Sequence, residues 1–186
     1  GRGKVAGSYR MDQGLCHHIG FSSHASTNWI RRLIDSDRFD FMCVHYYFTD
    51  QSNKIAIQDA QSHDMGVSVI SPNKMGGNLF DPSDKLTELC NPLHPMEFNT
   101  AFLLLNPAIH NLSLGVKHPG ELEMHKNIVE TLSDQSDLVY LISQRLINHI
   151  EDIMGKGWFG QLHNGIPAWE DVPGGIGDYF NQVSER

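Results

Sequence analysis

Residues 65–79 read MGVSVISPNKMGGNL. Val67, Val69 and Ile70 are β-branched and suit a pleated, buried strand, with Gly66 at its start and Ser71-Pro72 stopping it. Gly76-Gly77 follows, and glycine opens backbone angles that are closed to other residues. A buried strand whose carboxyl end runs into a Gly-rich loop is where α/β proteins usually place their chemistry. Gly76-Gly77 also has a plainer reading as a loop hinge.

Working outward, a strand is expected over 15–21, followed by a helix over 28–36 that Ser26 or Thr27 can cap. Trp29, Ile30, Leu33 and Ile34 share one face of that helix. Residues 39–47 are almost wholly apolar and aromatic, as befits a strand covered on both faces. Asp50 or Ser52 then caps a helix to residue 63 with Ile55, Ile57 and Ala60 apolar, which leads back to the opening strand. Beyond the Gly-rich loop, helices are expected over 82–89, with Pro82 in the first turn, and over 95–105. A short strand over 111–115 comes next, then a helix over 121–132 with Leu122, Ile128, Val129 and Leu132 on its apolar face. A last, strongly apolar helix over 137–154 is broken by Gly155. Residues 1–14 read as a tail or the end of another element, and 156–186 as an irregular arm. The β-α-β-α-β alternation argues for parallel strands. Four such strands make either a small open sheet or half of a (β/α)8 barrel, and composition does not separate the two.

Composition bounds the function. The chain has 186 residues, enough for one domain, and compact folding would bury roughly 70% of its unfolded surface. With 14 Lys+Arg against 22 Asp+Glu the net charge is −8, which opposes the phosphate neutralisation that nucleic-acid binding needs. The longest apolar run, 101–105, is far below the ~20 residues of a membrane span, and 1–4 is not followed by the apolar stretch of a signal peptide. Cys16, Cys43 and Cys90 are odd in number and far apart, which fits a reducing cytoplasm better than a disulfide framework. Of the 11 histidines, His17, His18, His24 and His45 fall on adjacent expected strands. Without an HExxH or Cys/His pair they are read as structural or solvent-facing, and no metal site is assigned. His24 and His45, at strand ends, are the two best placed for a role. Asp50 and Asp81 are read as helix caps rather than catalytic acids.

Four blocks separate the two architectures: 16–24 (CHHIGFSSH), 39–53 (FDFMCVHYYFTDQSN), 66–79 (GVSVISPNKMGGNL) and 112–122 (LSLGVKHPGEL). Their order and spacing resemble the fifth to eighth strands of the aldo-keto reductase barrel over residues 14–132. The closest likeness is to the bacterial branch of predicted aldo-keto reductases, whose conserved tail the segments 165–170 (GIPAWE) and 173–176 (PGGI) also resemble. The fold so implied is the C-terminal half of a (β/α)8 TIM barrel over 15–132, with a C-terminal helix and arm over 133–186.

The activity so implied is an NAD(P)H-dependent oxidoreductase acting on a small-molecule carbonyl substrate, this chain supplying the half that binds NADP or NAD. By position, Ser22 and Ser23 resemble the pair that hydrogen-bonds the nicotinamide carboxamide. Cys43 stands where the family has Gln, and Ile70 where many members stack an aromatic ring. Ser71, Pro72, Gly76 and Gly77 resemble the loop over the pyrophosphate, where freed backbone N–H groups suit a phosphate. Lys117 is placed to face a 2′-phosphate, and Glu121 and His125 match positions that touch adenine. The family's Asp, Tyr, Lys and His come from earlier strands that would precede Gly1. No catalytic residue is therefore assigned in this chain, and Lys4 and Tyr9 lie outside the matching blocks. The resemblance implies either a separate N-terminal half or a second copy that closes the barrel. The alternative is a non-catalytic fragment or scaffold with at most weak nucleotide binding.

Overall fold

The computed structural model describes residues 13–73, 78–116 and 118–159. Its strands are β1 (Gly20–Ser22), β2 (Phe41–His45), β3 (Gly66–Ile70) and β4 (Asn111–Ser113). Its helices are α1 (Thr27–Asp35), α2 (Lys54–Ser62), α3 (Asp84–Cys90), α4 (Pro95–Leu104), α5 (Pro119–Thr131) and α6 (Ser136–Met154). The four strands are parallel and lie side by side in chain order, β1-β2-β3-β4. Order without reversal decides between the two architectures left open by composition. Successive crossovers of one hand put every helix on the same face, as in a barrel wall, whereas a doubly wound sheet needs a reversal.

The core shows that single-sided winding directly. Met42, Val44, Val67 and Val69 are at most 1% exposed and pack with Ile30 and Ile34 of α1, Ala56, Ile57 and Ala60 of α2, and Leu103 of α4. Strand side chains alternate between faces. Phe41, Cys43, His45, Ser68 and Ile70 therefore point to the opposite face, which no described element covers. A second cluster sits beyond the sheet, where Phe48 meets Cys90, Phe98, Ala101, Ile128, Val139, Ile142 and Leu146.

Several boundaries differ from expectation for local reasons. β1 starts at Gly20 rather than residue 15, because the Asp40 carboxylate takes the Ile19 N–H at 2.9 Å. β2 ends at His45 because residues 47–50 close a turn with two backbone bonds between Tyr47 and Asp50. Pro82 lies outside α3, whose N-cap is Ser83, accepting from Leu86 N–H at 3.2 Å. Asn53, not Asp50 or Ser52, is the N-cap of α2, while Asp50 receives both the N–H and the hydroxyl of Ser52. Ser26 holds the N-cap position of α1 without a side-chain cap bond, and Thr27 donates to Ser52 O. α4 begins as expected at Pro95, closed by a capping box between His94 and Glu97.

The apolar stripes are narrower than the sequence suggests. Trp29 is 45% exposed under Arg32, and Ile55, Leu122, Val129 and Leu141 all face out.

Candidate functional site

The sheet register arranges the uncovered face in rows. Ser22, Cys43, Ser68 and Asn111 stand side by side across all four strands, and Asn111 Nδ2 donates to Ser68 Oγ at 3.0 Å. One row nearer the carboxyl ends are His45, Ile70 and Ser113, with the ring of His24 4.6 Å from that of His45. One row nearer the amino ends, the Phe41 ring lies over Gly20, where a Cβ would come within 2.4 Å of it. The face is small and polar except at Phe41 and Ile70, and none of these row residues is an acid, Lys or Arg.

Each strand end is tied down. Ser71 adopts φ +54°, the left-handed region, so the chain turns sharply as it leaves β3. Pro72 is fully buried, and its carbonyl accepts from Asn99 Nδ2 at 2.6 Å. Asn99 Oδ1 accepts the Phe48 N–H at 3.0 Å, so one buried amide on α4 fixes the loops after both β2 and β3. Asn73 Nδ2 donates to Gly115 O at 3.0 Å and joins the loops after β3 and β4. On the β1 side, Ser23 N–H donates to Cys43 O, while its hydroxyl accepts from Ala25 N–H.

At the end of β2, the Tyr47 hydroxyl and Nδ1 of His45 are hydrogen-bonded to each other. Burial, then the nearby Asp50 carboxylate, pushes the Tyr47 hydroxyl up to about 12, so it keeps its proton. Burial, then His24, lowers the pKa of His45 against an opposing pull from Asp50, which favours the neutral imidazole. Among the described residues, no group of three or more His, Cys, Asp and Glu could hold a metal ion.

The residues singled out from sequence therefore divide. Ser22, Cys43 and Ile70 come together on adjacent strands of one face, with Ser23, Ser71 and Pro72 at the adjoining strand ends. Glu121 lies in the first turn of α5, where its carboxylate accepts from His118 N–H at 3.2 Å. His125, one turn further, is 2% exposed and bonded through Nδ1 to Thr100 Oγ1 at 3.0 Å, with Nε2 buried and unpartnered. Gly76, Gly77 and Lys117, like most of the 156–186 arm, fall outside the described residues. Sequence reasoning passed over Asn99, whose signal was available: Asn99-Thr100 is a polar pair inside the otherwise apolar stretch 98–104 of α4.

With this geometry in place the comparison with solved structures is informative. The holo form of an aldo-keto reductase from Bacillus halodurans superposes with a TM-score of 0.57 at 12% identity, over 73% of this chain and 53% of the other. The likeness is one of fold. Four parallel strands with interleaved helices match part of a (β/α)8 barrel, and this chain spans about half the length of that reductase. No protein-family model matches the sequence, and no curated protein does. Among the described residues, no helix is long and apolar enough to cross a membrane.

Proposed function

We propose that this chain is the nicotinamide-nucleotide-binding half of an NAD(P)H-dependent oxidoreductase of aldo-keto reductase type. The observation that carries this reading is the register that sets Ser22 beside Cys43, with Ile70 one row nearer the strand ends and the left-handed Ser71 after it. Barrel enzymes hold their sites at these carboxyl ends. The row suits a nicotinamide chemically, because a hydroxyl and a thiol can meet a carboxamide while Ile70 offers an apolar side to the ring.

When bound, the nucleotide supplies the hydride for a small carbonyl substrate, or takes it from the alcohol. This chain's own work is to bind and orient. Ser22 and Ser23 would hold the carboxamide, with Cys43 a much weaker partner than an amide. Ser71, Pro72, Gly76 and Gly77 would border the pyrophosphate, and Lys117 would meet a 2′-phosphate. Glu121 and His125 belong to the adenine end, where the buried His125 acts by holding α5 against α4. Residues 15–132 would form the half-barrel, with 133–186 as an added helix and arm. A second copy, or a separate half, would lie over the uncovered sheet face and bring the proton donor, in a cytoplasmic setting.

The second reading is a scaffold without chemistry, favoured by Cys43 and Ile70 standing where the family has an amide and often an aromatic ring. A titration with NADPH and NADH followed by nicotinamide fluorescence, with sedimentation alongside, separates the two. Saturable binding that weakens in Ser22→Ala supports the reductase half. A folded protein that binds neither nucleotide, with or without self-association, overturns it. Trp29 would not report the binding, since it sits on the outer face of α1.

A further inference from the structure

A cleft of about 280 Å³ lies between the turn after β2, helices α3 and α4, and the last turns of α6, and it borders the strand-end rows only through Tyr47, whose hydroxyl is bonded to His45. None of the residues assigned above to the nucleotide lines it. Its walls are Phe48, Leu86, Leu89, Phe98, Leu146 and Ile150.

The polar groups that reach it are mostly engaged already. Lys85 is ion-paired with Glu88 at 3.0 Å, both amide atoms of Asn99 are used, and Ser83 caps α3. Burial pushes the Cys90 thiol up to about 11, so it lines the cleft as a neutral S–H group. The lining thus presents no unpaired charge, which argues against a charged occupant. Two lining groups remain for hydrogen bonding, the imidazole of the half-buried His149 and the hydroxyl of the exposed Thr49.

Volume sets the size of the occupant. An apolar cavity of about 150 Å³ takes up benzene. Nearly twice that volume suits two fused rings. We propose that this cleft is a binding site for an uncharged, two-ring aromatic molecule or its apolar equivalent, carrying one hydroxyl or carbonyl to meet His149 or Thr49. The site stands independently of the nucleotide reading, because it uses other residues.

The test is a titration of the full chain with 2-naphthol, followed by methyl NMR of Leu and Ile. Saturable shifts should be largest at Leu86, Leu89, Leu146 and Ile150. Leu86→Trp, which fills the cleft from a partly exposed position, should weaken binding at least tenfold, and Leu89→Phe should do so several-fold if the Trp variant fails to fold. The anionic 2-naphthalenesulfonate should bind at least tenfold more weakly than 2-naphthol. Shifts that fail to saturate, shifts centred on Ile70 and the sheet face, or unchanged affinity in the folded filled variants would overturn the site. Equal affinity for the sulfonate would overturn the assignment of an uncharged ligand.

Discussion

The two faces of the sheet are built from the same four strands and differ in almost everything else. On the helix-covered face Met42, Val44, Val67 and Val69 are sealed, each touching α1, α2 or its neighbours in one continuous core. On the other face Phe41 remains 39% exposed, and the rows above it are Ser22, Cys43, Ser68 and Asn111. One face carries the stability, and the other is left small and polar for something that comes from elsewhere. Met42→Ala should therefore cost about 2–5 kcal/mol in urea unfolding, the usual penalty for emptying a buried site. Phe41→Ala, one residue away, should cost less, about 1–2 kcal/mol, since 39% of its surface is already in water. Equal costs would break the contrast. A Phe41→Ala cost that grows with protein concentration would sharpen it, because only a second copy on that face would produce it.

The next largest effect lies where the two regions meet. Asn99 is 4% exposed and serves the loops after β2 and β3 at once. Asn99→Ala strands the Phe48 N–H and the Pro72 carbonyl without partners and should cost about 2–3 kcal/mol. If those loops support nucleotide binding, Asn99→Ala should also weaken NADPH binding in protein that is still folded. Asn99→Asp keeps the acceptor for Phe48 N–H and loses the donor to Pro72, so it separates the two loops in the same assays.

How much of this was legible follows the same division. The covered face was readable because its signal is local: β-branched residues two apart in 66–70 and an almost unbroken apolar run in 39–47. The uncovered face has no such signal. Cys43, Ser68 and Asn111 are unremarkable in sequence and become a row only through register, which pairs residues tens of positions apart. Element boundaries slipped where side chains competed with the backbone, as Asp40 does at Ile19 before β1 and Asp50 at Ser52 before α2. In α2, Ile57 and Ala60 are buried as expected, whereas Ile55 looks like core yet is 53% exposed, and Ala56 fills the space beside the sheet. Composition and periodicity left the half-barrel open; the resemblance of four blocks implied it, and the strand order β1-β2-β3-β4 shows it directly.

Two histidines carry the comparison into pH. His125 is buried between α4 and α5, and burial lowers its pKa against the opposing pull of Glu121 and Glu97. His45, on the uncovered face, is lowered by burial and His24. Both are depressed in the folded chain, so the unfolded chain binds more protons as the pH drops. Stability should be full above the ordinary histidine value near 6.5 and be lost as the pH falls from there through the depressed folded values. Urea midpoints measured from pH 8 to 5 should show this decline. His125→Gln, which keeps a partner for Thr100 without titrating, should flatten it more than His45→Gln, because His45 retains access to water. The reverse order would mean that the sheet face is the drier of the two environments.

The smallest effect discriminates most finely, because it concerns two serines three residues apart on β3 and its end. Ser68 sits in regular strand, where glycine would be destabilising by roughly 0.5–1 kcal/mol through lost backbone order. Ser71 holds φ +54°, which costs a residue with a Cβ about 1–2 kcal/mol and costs glycine nothing. Ser71→Gly gains that relief and gives up about half or more of it to the greater freedom of the unfolded chain. The net should be a stabilisation of up to about 1 kcal/mol, or up to about 4 °C in Tm, while Ser68→Gly moves Tm the other way. A Ser71→Gly variant that is destabilised would mean that the Ser71 side chain holds the strand end through contacts worth more than its strain. The turn into the loop after β3 would then be organised by that hydroxyl rather than by Pro72 and its bond to Asn99.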